Sequence, residues 1–247
     1  MTIRTDTYAA TRPVPYLLER SVVQTIACPV RHGADGSLVT PGSGTITITR
    51  PDGTDLVSGA AVTVASSTAT YDVTPAASET LGQGWTVEWT LVFSGVTYPV
   101  YRFEAFLCEY VPPCPISVLD LFGREPEMRH RIPQDQGDRG DNTGWQPQID
   151  EVYYELIQGL IDDSSRLWLI RGMTGAREWF RARTLELCCR ILSTSPDSVW
   201  ARKATDYMYE ARNSRARLVF QYTTDTPDIR RGASPVTRLS PIDRPIL

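Results

Sequence analysis

Across Val111–Pro115 the spacing of apolar residues changes from two to three-and-four, so no single architecture accommodates both halves of the chain. Before the change, Trp85, Val87, Trp89 and Leu91 alternate with Thr86, Glu88 and Thr90, the mark of a half-buried strand. After it, Ile149, Val152, Tyr153, Leu156, Ile157, Leu160 and Ile161 recur at three and four, the stripe of an amphipathic helix. Three prolines in residues 112–115 stop a strand and stiffen the connection. The chain is therefore expected to be α+β and multidomain.

The first part reads as short strands joined by turn signals. Thr45–Thr49 alternates and Pro51-Asp52-Gly53 turns it; Ala61–Ala65 and Thr68–Val73 are two more. Val22–Pro29 precedes them, and Ser94-Gly95 marks a hairpin into Val96–Leu107. Six or seven strands at this spacing predict an antiparallel β-sandwich of immunoglobulin-like architecture over residues 1–110, without the disulfide and tryptophan spacing of antibody domains.

Residues 111–147 read as a Pro-rich linker, a short helix over Ser117–Phe122 and a polar surface loop from Arg124 to Pro147. Residues 148–225 read as a helical bundle. Thr174 is the expected cap of its second helix, with Ala176, Trp179, Phe180, Leu187, Cys188, Ile191 and Leu192 on one face. Ser195-Pro196-Asp197 is the expected start of a third, whose apolar face is Trp200, Ala204, Tyr207, Met208 and Ala211. Leu218–Tyr222 reads as a short strand. Residues 226–247 form an extended C-terminal arm in which Ser234-Pro235-Val236, Ser240-Pro241-Ile242 and Arg244-Pro245-Ile246-Leu247 repeat one theme.

Charge is sharply divided. Residues 111–165 carry four basic and eleven acidic side chains, whereas residues 166–247 carry fifteen and eight. The basic residues are 24 Arg and one Lys, Lys203. Opposite ends of this kind attract, within a chain or between subunits. Arg177, Arg181 and Arg183 are the candidate subunit-interface residues; contact with DNA phosphates is the competing reading of the same arginines.

Signals for chemistry are weak. His32 and His130 sit in different parts beside loop residues, and neither a nucleophile elbow, an HExxH pair nor a phosphate loop is present. The five cysteines lack metal-ligand spacing and read as buried thiols. Asp135, Asp138, Asp141 and Asn142 cluster without the spacing of a calcium loop, and Arg139-Gly140-Asp141 is a three-residue adhesion match of low specificity. The expectation is no enzyme, no cofactor and no metal. No apolar run suffices to span a bilayer, and the opening MTIRTDTYAATRP lacks the apolar core of a secretory signal.

The arm is the candidate partner-binding segment. Its prolines hold it extended, while Ile229, Val236, Leu239, Ile242, Ile246 and Leu247 are spaced aliphatics suited to pockets or to strand addition on a partner. Arg230, Arg231, Arg238 and Arg244 keep it soluble and belong to the same candidate set.

The run from Gln148, QIDEVYYELIQGLIDDSSRLWLIRG…REWFRARTLELCCRIL, followed by a capped helix and an extended C-terminal segment, resembles the head–tail connector (adaptor) proteins of tailed bacteriophages. The resemblance covers roughly the last 130 residues and rests on helix order and the arm. It implies a non-enzymatic virion protein of the neck, made in the host cytoplasm. Its copies would form a ring, commonly of twelve, joining the portal protein to the next neck or tail protein. Double-stranded DNA would pass through without sequence-specific binding, and no membrane is involved. The alternative expectation is a baseplate, tail or capsid-decoration protein whose sandwich contacts a receptor or carbohydrate; Trp85 and Trp89 are candidates for such a surface, but their place on an alternating strand assigns them to the core.

Overall fold

The structure, a computed structural model, describes residues 8–10, 15–32, 36–94, 96–97, 100–131, 144–163, 165–222 and 236–238. The chain divides into two compact units, Met1–Val111 and Pro112–Leu247. Among the described residues it is mixed α+β, with four α-helices and several antiparallel sheets.

The first unit holds β1 (Tyr8–Ala10), β2 (Tyr16–Glu19), β3 (Gln24–His32), β4 (Ser43–Thr49), β5 (Asp55–Ala61), β6 (Thr63–Ala65), β7 (Thr68–Val73), β8 (Gly82–Phe93), β9 (Val96–Thr97) and β10 (Tyr101–Cys108). One sheet has the order β1-β3-β7-β6 and the other β2-β10-β8-β4-β5, with β9 on β8. A single core draws on both sheets. Ile26, Cys28, Val30, Ala69 and Val73 come from the first, and Ile46, Ile48, Trp85, Val87, Trp89 and Leu91 from the second. Along β8 every second residue from Trp85 to Phe93 is buried, as the alternation requires. Gly44 lets β4 approach β8: a β-carbon there would lie 2.6 Å from Leu91 Cδ2.

Beyond β1, β2 and residues 55–60 of β5, which the sequence reading did not include, three assignments differ. The run Ala61–Ala65 is divided, because β5 ends at Ala61 and β6 begins at Thr63 in the other sheet, with Val62 N donating to Gly44 O at the crossing. The run Val96–Leu107 is likewise two strands. The third difference concerns direction: β2 pairs β10 in parallel, from Tyr16↔Ala105 to Glu19↔Cys108. A parallel pair needs a long crossover, and here nearly the whole unit lies between the two strands.

The β6–β7 hairpin turns on Ser66 and Ser67, both with positive φ (44° and 66°). This is the tight-hairpin conformation that Asn-Gly adopts most cheaply, imposed here on two serines. It is pinned where Val30 N donates to Ser67 O and Ser67 N to Thr40 Oγ1. The double substitution Ser66→Asn/Ser67→Gly should therefore stabilise the unit by about 1 kcal/mol. A thermal unfolding midpoint that stays level or falls would show the serines to be unstrained.

The second unit contains α1 (Val118–Arg124), α2 (Gln146–Asp162), α3 (Arg177–Leu192) and α4 (Val199–Arg215), with β11 (Ile170–Gly172), β12 (Val219–Tyr222) and β13 (Val236–Arg238). Ser117 starts α1, its amide donating to Asp120 Oδ2 at 2.8 Å. Pro147 lies in the first turn of α2, whose buried stripe is Ile149, Val152, Leu156, Ile157 and Leu160. Helix α3 packs against α1, α2 and α4 and is buried on most of its circumference, which accounts for Thr184 and Glu186 inside it.

The helix starts also differ from expectation. Thr174 opens a short 3₁₀ turn, and α3 begins at Arg177. The cause is the contact behind it: a β-carbon on Gly175 would lie 2.4 Å from Val219 O, so this segment is pressed onto β12. Ser195-Pro196-Asp197 forms a turn, and Ser198 caps α4 by accepting from Ala201 N at 3.1 Å. Ile191, expected on the apolar face of α3, is 49% exposed. The segment after Arg124, expected as surface loop, includes a 3₁₀ turn over Pro126–His130 with Met128 fully buried beneath the indole N–H of Trp145.

Candidate functional site

Glu125, at the end of α1, is 7% exposed, and two residues one turn apart on α4 reach it. Lys203 Nζ donates to Oε2 at 2.5 Å and Tyr207 OH to Oε1 at 2.6 Å. Trp200, one turn earlier, places its ring 4.8 Å from Lys203 Nζ and 5.8 Å from the Arg131 guanidinium carbon. The chain's one lysine thus sits on a nearly buried carboxylate and an aromatic face. Burial, then the bond to Glu125, pushes the Tyr207 hydroxyl well above the usual tyrosine range. The neighbouring Cys189 thiol is pushed up to about 12 by burial, with Glu125 adding to the effect and Lys203 opposing it. A carboxylate bonded on both oxygens and a thiol that keeps its proton at neutral pH make a clamp between α1, α3 and α4.

A second cluster lies on α3. Glu186 has a side chain only 2% exposed; Arg183 donates to its Oε2 at 2.7 Å, and Arg190 approaches its Oε1 at 2.6 Å as an ion contact without hydrogen-bond geometry. Arg183 also donates to Glu155 of α2 at 2.8 Å. Burial lowers the affinity of Arg183 for its proton, but Glu186 and Glu155 together raise it above the ordinary arginine value.

The three candidate interface arginines are all engaged within the chain. Arg177 donates to Asp120 at 2.5 Å, Arg181 to Glu178 at 2.6 Å, and Arg183 bridges Glu155 and Glu186. The Asp120 carboxyl is held below its usual range first by the Ser117 amide and then by Arg177. Two of the three arginines therefore pair with the acidic 111–165 segment of their own chain. Of the arm, Val236 and Arg238 lie in β13; Ile229, Arg230, Arg231, Leu239, Ile242, Arg244, Ile246 and Leu247 lie outside the described residues. So do Asp135, Asp138, Asp141, Asn142 and the Arg139-Gly140-Asp141 tripeptide.

Strand β13 is the outer member of the sheet β11-β12-β13. It pairs antiparallel with β12 in the register Val219↔Arg238, Phe220↔Thr237 and Gln221↔Val236. Beneath it β12 is firmly seated: Phe220 is fully buried, Leu218 is 1% exposed, and Gly175 abuts Val219. In the first unit His32 meets Tyr8 edge-on at 5.9 Å. Trp85 and Trp89 are 1% and 0% exposed. A groove of about 270 Å³ between α3 and α4 is lined by Arg190, Ser193, Ala201, Ala204, Thr205 and Met208. Among the described residues no three His, Cys, Asp or Glu side chains gather into a metal-binding set, and no helix is long and apolar enough to cross a membrane.

Sequence reasoning missed Glu125, Tyr207 and Glu186, whose partners lie on other elements or along a helix buried on most of its circumference. Its one usable signal was Lys203, a lone lysine among arginines.

No protein-family model matches the chain, and no curated protein matches it. Solved structures similar to part of it include the native conformation of E. coli alpha-2-macroglobulin, at 14% identity and TM-score 0.30, over 43% of this chain and 6% of that one. The swine CD8aa homodimer matches at 10% identity and TM-score 0.24, over 41% of this chain and 98% of that one. At these TM-scores neither likeness bears on the fold or the function.

Proposed function

We propose that this chain is a non-enzymatic virion protein of the tailed-bacteriophage neck, a head–tail connector. Its copies form a ring that joins the portal protein to the next neck or tail protein and lets double-stranded DNA pass without reading its sequence. The observation that carries this reading is β13: a segment from the far end of the chain is held by edge pairing on β12, the way an extended arm engages a sheet. The inward pairing of the titratable groups around Glu125 and Glu186 supports it, since those clusters have the character of struts.

The first unit reads as an immunoglobulin-like sandwich. Its strand order β1-β3-β7-β6 follows the A-B-E-D sheet of that architecture, and β2-β10-β8-β4-β5 follows G-F-C with one strand added at each edge. The second unit reads as a helical bundle around α3. Trp85 and Trp89 are buried in the core of the first unit, as their alternation with polar residues requires, and so offer no aromatic surface to a receptor.

Particle mass and negative-stain images of the purified protein should show rings. A chain lacking residues Ile229–Leu247 should stay folded and soluble yet leave DNA-filled heads without tails, or heads that leak. Infectious particles at normal yield from the truncated protein would overturn this reading.

A further inference from the structure

We propose that β13 is an exchanged strand: in the ring, residues Val236–Arg238 of each copy complete the β11-β12 sheet of the adjacent copy. The inference rests on the ring reading and names the contact that closes it. Three features of the second unit lead to it. First, β12 is anchored independently of β13, through buried Leu218 and Phe220, through Gly175 against Val219, and through β11 on its other side. An anchored strand presents its outer row of amides and carbonyls as a template for any matching strand. Second, β13 pairs over only three residues, and β12 is its principal contact. An identical strand from another copy reproduces that main-chain pairing in the same register.

Third, residues 223–235 separate β12 from β13, a connection of thirteen residues. Fully extended, such a connection spans roughly 45 Å, far more than a hairpin needs and enough to reach the sheet of an adjoining copy. Closing so long a loop gains little over pairing with a neighbour held at high local concentration. Each copy then donates one strand and accepts one. This head-to-tail contact closes when the rotation between copies divides a full turn.

The test uses the full chain carrying Gln221→Cys/Val236→Cys, a register pair, in a Cys114→Ser background that removes the exposed native thiol. Native mass is measured before oxidation, and a non-reducing denaturing gel is run after it. Exchange predicts a ring mass and then a ladder of covalently linked chains, with neither single cysteine variant producing it. A ring mass with every chain running as a monomer overturns exchange and leaves the ring reading standing, whether the thiols are consumed or not. A monomeric native mass overturns both, and ladders from the single variants overturn exchange. Thr237→Pro, which removes the amide at the centre of the strand, should leave helicity and thermal unfolding of the monomer unchanged while reducing the ring to monomers. A ring of undiminished mass in this variant counts against exchange.

Discussion

Arg183→Glu is expected to destabilise the helical unit by about 3–5 kcal/mol, enough to unfold much of it at ambient temperature. The substitution takes from the buried Glu186 its closest hydrogen-bonded partner, takes from Glu155 its cross-helix contact, and adds a third carboxylate between them. Arg190 still touches Glu186 but is 58% exposed and makes no hydrogen bond to the oxygen that it faces. Arg181→Glu is the informative companion. Arg181 pairs only one helical turn away with Glu178, which is 64% exposed, and its loss should change stability by within about 0.5 kcal/mol. Circular dichroism during urea unfolding separates the two. If Arg183→Glu unfolds at the parent's urea concentration, the buried pair contributes nothing; if Arg181→Glu alone lowers the ring mass, Arg181 belongs to a subunit contact.

Alkali should unfold the helical unit steeply. Burial pushes the Cys189 thiol up to about 12 and Cys188 higher still, from an ordinary value of 9.0. Both groups bind their protons more tightly in the folded chain. The stability they contribute is complete below pH 9 and is withdrawn as the pH rises through their folded values. Each shifted thiol contributes a slope of about 1 kcal/mol per pH unit once the pH is well above 9, so the two together make the loss about twice as steep as a single group would. Tyr207, also shifted upward, steepens the fall above pH 10. Thermal unfolding midpoints from pH 8 to 11 test this. A flat profile would show that the thiols ionise freely in the folded state, and Cys188→Ala/Cys189→Ala should flatten the slope even as it lowers the plateau.

The elements with one dominant face were legible in the sequence. Strand β8 and helix α2 bury the residues that their periods select, because each presents a single face to a core. Strand β5 was not legible: it is an edge strand with Gly59 at positive φ and two register shifts against β4, so inward and outward positions do not alternate. Helix α3 hid Glu186, because a helix covered on most sides has no polar face against which a buried charge stands out. The Glu125 clamp joins residues 78 and 82 positions apart, a separation at which local spacing carries no information. Cap positions moved for a related reason. Thr174 and Ser195 both suit a helix start, but tertiary contact at Gly175 and the neighbouring Ser198 decided where α3 and α4 begin.

The parallel β2–β10 pair also sets how the first unit bears mechanical load. Force entering ahead of Tyr16 and leaving beyond Cys108 draws the two strands along their axes in opposite directions. Their hydrogen bonds then resist in shear, all together, where an antiparallel hairpin pulled from its open end would unzip one rung at a time. Tyr16 adds a rivet across the sheets, its hydroxyl donating to Ala27 O at 2.7 Å. Tension applied between Tyr16 and Cys108 therefore loads the whole ladder at once, and the two edges of the β2–β10 seam part together or not at all.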